Sequence, residues 1–182
     1  METSQVDILL KALAFAAEKH RDQRRKDQVG TPYINHPIGL VSILCHEAGV
    51  YDPEVLMGAL LHDTVEDTDT QFFDIQALFG PDVEHIVRQV TDDKSLPKAV
   101  RKQLQIEHAA HVSDQAKLVK LADKIHNLRD LVKSPPNSWP LERRREYCLW
   151  SKQVVDQLRG VHPPLEALFD EVYAQAWTLY GD

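Results

Sequence analysis

Residues that bend or cross-link a chain are scarce here: seven glycines and two cysteines in 182 residues. Cys45 and Cys148 stand in no CxxC or CxxH spacing, which excludes a zinc ribbon or a disulfide scaffold and leaves them as small hydrophobes of a reducing compartment. Long apolar runs are missing as well. The longest, Val55 to Leu61, is about a third of what a membrane helix needs, and METSQVDILL lacks the basic segment and apolar core of a signal peptide. The chain therefore reads as cytoplasmic. Positive charge is in deficit, with 21 Lys+Arg against 28 Asp+Glu for a net −7, which argues against nucleic acid or a membrane surface as a partner bound by bulk charge. No period-two alternation of any length, no internal repeat and no low-complexity tract occurs. GxxxxGK[ST], GxGxxG, GxSxG and HExxH are all absent, which removes the P-loop, dinucleotide-fold, α/β-hydrolase and zincin readings. What is abundant is histidine, with nine.

The ten prolines fall mostly at the edges of apolar segments, as helix punctuation does. Residues 4 to 20 carry Ile8, Leu9, Ala12, Leu13, Phe15, Ala16 and Ala17 at three-to-four spacing, which predicts an amphipathic helix. A polar, basic loop from about Asp22 to Asn35 follows, and Pro37 opens a helix that ends at Gly49. Asp52-Pro53-Glu54 supplies an N-cap, a proline at the first helical position and an acid in the first turn, so a third helix runs into His62-Asp63. Thr70 caps a short helix that Gly80 stops, Pro81 and Pro97 open two more, and Ser113 caps one carrying Ala116, Val119, Leu121, Ala122, Ile125 and Leu128. Ser134-Pro135-Pro136-Asn137-Ser138 is a loop, and two helices, about 141 to 159 and 164 to 179, complete the chain. The expectation is a compact all-α fold of eight or nine helices, with residues 1–182 as one domain. Chemistry must then come from side chains projecting off helices and from the loops between them.

Such side chains concentrate in Leu60-Leu61-His62-Asp63-Thr64-Val65-Glu66-Asp67-Thr68. On one helix, His62 and Glu66 are four apart, Asp63 and Glu66 three, and Asp63 and Asp67 four, which crowds them on one surface. Three acids together repel unless their pKa values rise or a divalent cation binds. An imidazole beside a carboxylate suits Mn, Fe, Co or Zn, but further ligands must come from elsewhere. His36, before Pro37 at the mouth of a helix, and Asp123, a carboxylate in an apolar helical stripe, are the candidates. Taken singly each has a plainer reading: His36 as a loop or cap residue, Asp123 paired with Lys120 or Lys124, Glu66-Asp67 as an acidic helix end. The ordered combination His36, His62-Asp63, Asp123 is what points to a mixed four-ligand metal site.

That order on an all-α chain resembles the His-Asp (HD) metal-dependent phosphohydrolase superfamily. More narrowly, the chain is similar to the (p)ppGpp hydrolase domain of RelA/SpoT proteins in its short, free-standing, animal-type form. Three blocks carry the resemblance: Arg25-Lys26 leading to Gly30-Thr31-Pro32-Tyr33-Ile34-Asn35-His36-Pro37, then Leu61 to Thr68, then Lys120-Leu121-Ala122-Asp123-Lys124-Ile125-His126-Asn127-Leu128-Arg129. It implies one divalent metal ion, Mn2+, on His36, His62, Asp63 and Asp123. It also implies removal of the 3′-diphosphate of ppGpp or pppGpp by a metal-bound water, giving GDP or GTP and pyrophosphate, with Glu66 and Asp67 orienting or deprotonating that water. Arg25 and Lys26 then meet phosphate charge, Asn127 bonds the ribose or a phosphate, and Lys98 and Tyr147 lie near the nucleotide. Without the resemblance Arg25-Lys26 reads as a solvated basic loop and Tyr147 as core packing. Two departures from the long bifunctional enzymes are a longer loop between Lys26 and Pro32 and Asp130 in place of Thr. His20, His46, His85, His108, His111, His126 and His162 are expected on surfaces or helix faces, with His126 the one placed to support a ligand.

A chain of this length leaves no room for a synthetase, so degradation without synthesis of a small nucleotide is expected, in an undetermined oligomeric state. Three other enzymatic readings share the site: hydrolysis of adenine alarmones, removal of the 2′-phosphate of NADPH, and general HD nucleotidase activity. A non-catalytic nucleotide-sensing helical domain is the reading of another class, and it has no need of a water-activating Glu66-Asp67 pair.

Overall fold

The computed structural model describes residues 4–27 and 29–181, so Met1 to Thr3 of the N-terminal stretch, Gln28 of the basic loop and Asp182 lie outside the described residues. The helices are α1 (Gln5–Lys19), α2 (Asn35–Ser42), α3 (Pro53–Leu61), α4 (Thr64–Asp67), α5 (Phe72–Phe79), α6 (Pro81–Val90), α7 (Lys98–Ala109), α8 (Asp114–Lys133), α9 (Leu141–Asp156) and α10 (Pro163–Tyr180). Among the described residues nine are substantial and α4 is one turn. α2 runs on through a π-helical stretch, Ile43–Glu47, and the chain then turns at Gly49, whose φ of 70° suits a residue without a Cβ. No strand forms among the described residues; the one extended pairing is the bridge between Arg24 and Pro32 that closes the basic loop.

The expected caps of α3 and α8 form, the side chains of Asp52 and Ser113 each accepting a first-turn N–H, and Ser4 does the same for α1. The cap of α5 differs, because Gln71 exchanges bonds with Asp74 while Thr70, fully buried, spends its hydroxyl on that of Thr68.

Two buried clusters make the core. One joins Leu121, Ile125 and Leu128 of α8 to α2, α9 and α10, and the other joins Ala12 and Ala16 of α1 to Leu61, Ile75, Val83 and Val87. α3 contributes to both. Every residue from Val55 to Leu61 is buried, as a helix apolar all round must be, and α3 packs against α1, α2, α6 and α8. The longest apolar run of the sequence is thus the central helix, and its C-terminal end is delivered to the middle of the molecule.

That end is where the structure departs from the expected single helix through His62 to Asp67. The His62 Nδ1 donates to the Ala59 carbonyl at 2.8 Å, and the Thr64 hydroxyl donates to the Leu61 carbonyl at 2.6 Å. These side chains satisfy the last carbonyls of α3 and end it at Leu61. The chain restarts as α4, with Asp63 at its N-cap position. His62 and Asp63 therefore sit at a break, and Glu66 and Asp67 belong to a separate turn.

Candidate active site

His36 enters from the first turn of α2, His62 from the end of α3 and Asp123 from the middle of α8, three elements that meet in the core. One donor atom from each lies within 4.8 Å of the others. His36 and His62 are buried, with ring centroids 5.2 Å apart. His36 Nε2 faces Asp123 Oδ1 at 3.2 Å. Asp63 is not in this trio. It lies alongside, its Oδ2 2.9 Å from His62 Nε2, and it accepts the hydroxyl of Tyr33.

The donor chemistry of these groups fits a cation. With Nδ1 of His62 carrying the proton donated to Ala59, Nε2 of the neutral ring offers a lone pair, and that atom is buried without a hydrogen-bond partner. A lone pair facing a carboxylate oxygen at 2.9 Å is repulsive unless a proton or a metal ion lies between. With a proton, burial opposes charging His62, but Asp63 outweighs it and lifts the ring to about 9. Two imidazoles with carboxylates form the mixed set that borderline divalent ions favour. Burial alone would raise the Asp123 carboxyl, but Lys124 and the two imidazoles hold it far below the carboxylate range. The Lys124 ammonium is 2.9 Å from Asp123 Oδ2, which leaves Oδ1 facing His36 Nε2.

His126 is placed to select the tautomer of His36. The two Nδ1 atoms are 3.0 Å apart, and burial, with His36 beside it, pushes His126 down to about 4, so its ring is neutral. A neutral His126 Nδ1 can accept from His36 Nδ1–H, which leaves His36 Nε2 as a lone pair toward the trio. His126 was expected at a helix face, and so was His20; the latter is instead buried, with its Nδ1 2.6 Å from the side-chain oxygen of Gln23. Gln23 in turn donates to Asp67 at 2.9 Å.

The close approach of His126 depends on Gly39. A Cβ there would come 2.1 Å from His126 Nε2. Gly39→Ala should therefore lower stability by about 1–3 kcal/mol and weaken divalent-metal affinity roughly 10- to 100-fold through the lost support of His36. Adding His126→Ala should restore the melting temperature without restoring the affinity, as thermal melts and metal titrations would show.

The remaining sequence candidates fall into three adjoining cavities. The inner one, about 220 Å³, holds His36, His62, Asp63, Asp123 and Glu66. Glu66 accepts the Asp92 N–H at 3.0 Å and faces Arg101 at 3.6 Å. Burial, with Asp63 and Asp92 nearby, pushes its carboxyl up to about 7. Asp67 does not share this cavity. It lines a second one, about 270 Å³, with Arg25, Lys26 and Asn127, and is held by Gln23 and Lys94. Arg25 and Asn127 line both cavities, and Arg25 donates to Asn127 at 2.9 Å and to Asp130 at 2.7 Å. Lys98 lies farther out, in a third cavity with Lys26, Arg101, Lys102 and Arg143. Tyr147 lines all three while packing against the α8–α9–α10 core. Tyr33, Gln23, Asp92, Lys94 and Arg101 were not legible as site residues, because no periodicity or spacing ties loop and distant helix positions to the His-Asp pair.

The HD domain family profile matches residues 12–148. The guanosine-3′,5′-bis(diphosphate) 3′-pyrophosphohydrolase MESH1 of Danio rerio is 54% identical over 96% of this chain and 97% of its own. Its Homo sapiens counterpart is 55% identical over 94% and 96%. A solved structure described as a metazoan ortholog of SpoT that hydrolyzes ppGpp superposes with a TM-score of 0.91 at 54% identity, covering 96% of this chain and 97% of that one. With three quarters of its length matched by the profile and such relatives over nearly all of it, the chain belongs to the HD-domain family and, within it, to the family of MESH1 3′-pyrophosphohydrolases.

Proposed function

We propose that this chain, residues 1–182 acting as one domain, hydrolyses the 3′-diphosphate of ppGpp or pppGpp to GDP or GTP and pyrophosphate. The observation that carries it is the inner cavity, where a His/His/Asp trio, Asp63 and a carboxyl of raised pKa lie beside Arg25. His36, His62, Asp63 and Asp123 would hold one divalent ion, which we take to be Mn2+ from the mixed nitrogen and oxygen donors. Such an ion supplies Lewis-acid polarisation of a phosphoryl oxygen and acidifies water.

The chain's own groups account for the rest. Glu66 takes a proton from the water whose oxygen adds to the phosphorus on the ribose 3′-oxygen; the 3′-oxygen leaves with a proton and pyrophosphate is released. A base with a pKa near 7 is matched to this task. Asp67, fixed by Gln23 and Lys94, orients the phosphate side of the neighbouring cavity. Arg25, pre-aimed by Asn127 and Asp130, exchanges one of these partners for a phosphate oxygen, and Lys26 adds charge. Asn127 is then released toward the ribose or a phosphate. Lys98 and Tyr147 flank the nucleotide from the outer cavity. Both cysteines are free and no described helix is long and apolar enough to cross a membrane, which supports a cytoplasmic setting.

Metal-stripped protein, with and without added Mn2+, should be incubated with ppGpp, ppApp, NADPH and dGTP. Pyrophosphate release from ppGpp only with the metal is the expected result. Orthophosphate from NADPH alone would transfer the site to 2′-phosphate removal, and no product from any of the four would end the enzymatic reading.

A further inference from the structure

Lys120 has no role in the arrangement above. It lies on α8 one turn before Asp123, is 8% exposed, and lines the inner cavity with His36, His62, Asp63, Glu66 and Asp123. The carboxylates around it are engaged by other groups. Asp123 is paired with Lys124 at 2.9 Å and accepts from Asn127 at 2.6 Å, while Glu66 accepts the Asp92 N–H at 3.0 Å and faces Arg101 at 3.6 Å. Lys124, the other buried lysine of α8, is fully committed to Asp123, Gln105 and the face of Trp150. Among the described residues the Lys120 ammonium forms no ion pair with a carboxylate within 4.0 Å.

A buried ammonium without such a partner costs folding free energy, and an apolar side chain of similar length would fill the same space without that cost. Groups held against the interest of stability inside a cavity are characteristic of sites that act on a ligand. We propose that Lys120 is a further catalytic residue for the hydrolysis described above, its ammonium contacting the non-bridging oxygens of the diphosphate as negative charge builds on them. The inference rests on that hydrolase reading. It gives the inner cavity a cation not already paired with a carboxylate, since Lys124 is bound to Asp123 and Arg25 reaches only from the boundary with the second cavity. Burial, and Lys124 nearby, push Lys120 down to about 8 against the pull of Asp92, Asp123 and Glu66.

Lys120→Met and Lys120→Arg compared with the wild type separate this role from a structural one. In Lys120→Met the melting temperature should stay level or rise, and Mn2+ should bind as tightly or more tightly, since a cation beside the carboxylates is gone. Pyrophosphate should bind the Mn2+-loaded protein about tenfold more weakly by calorimetry, and kcat on ppGpp should fall about 100-fold. Lys120→Arg should recover part of both. A lowered melting temperature with unchanged pyrophosphate affinity would make Lys120 a counter-ion of the acidic cluster and overturn the proposal. Failure of the wild type to bind pyrophosphate, or full turnover by Lys120→Met, would overturn it equally. A wild type that leaves ppGpp intact ends the hydrolase reading, while the pyrophosphate titration still decides whether Lys120 meets a diphosphate.

Discussion

Glu66→Gln is expected to lower kcat on ppGpp by roughly 10²- to 10⁴-fold while leaving Mn2+ affinity within a few-fold of the wild type. Gln keeps the shape and an oxygen to accept the Asp92 N–H, but it cannot take a proton. The pH profile gives a sharper readout than the rate alone. The carboxyl is pushed up to about 7, so below that pH the base is protonated, and kcat/KM should rise with pH through a limb at or below about 7, lower where a bound cation sits close by. In Glu66→Gln this limb should vanish from whatever activity remains. Stability moves the other way. An acid whose pKa is raised on folding is stabilising below its unfolded value, near 4.5, and that contribution is lost as pH climbs through 7. In the metal-free protein above pH 7, Glu66→Gln should therefore be more stable than the wild type, by on the order of 2 kcal/mol. A variant that keeps both the limb and the rate would remove Glu66 from the chemistry.

Asp123→Asn should abolish tight Mn2+ binding and turnover together, and it should also unfold more easily. The reason is Lys124, whose side chain is 6% exposed and whose counter-charge is Asp123. Leaving such an ammonium unpaired costs about 3–5 kcal/mol, a fall of roughly 10 °C in melting temperature for a chain of this size. Pairing Asp123→Asn with Lys124→Met should return most of the lost stability and none of the activity. If the single variant keeps its metal in a calorimetric titration, the ligand assignment of Asp123 is wrong; if the double variant stays unstable, the destabilisation has a source other than the orphaned lysine.

The helices were legible because their signals are local. Asp52 and Ser113 cap in the structure as their sequence context requires, and Val55 to Leu61, apolar on every side, has nowhere to go but the core. The positions of His36, His62, Asp63 and Asp123 along the chain were legible too, but only as an order of residue types. Their division of labour was not. Whether α3 continues through His62 depends on which side chains capture the last carbonyls, and the imidazole and the Thr64 hydroxyl do so here. That break turns Glu66 into the inner cavity and Asp67 into the next, a separation that uniform helical spacing cannot express.

His126 and Lys120 show the same boundary from the other side. Both lie in the block around Asp123, yet nothing in the sequence says that Gly39 admits an imidazole against α2, or that one of the two buried lysines of α8 is paired with a carboxylate and the other is not. By itself the sequence determined the helical class, the central helix and the residue types of a metal-assisted hydrolase, since hydrophobic periodicity, capping and chain order are properties of neighbours. Only the tertiary structure decided which lone pairs face one another, which charges are neutralised and which stay free, because those depend on distances between helices far apart in the chain, in an interior where an unpaired charge is costly.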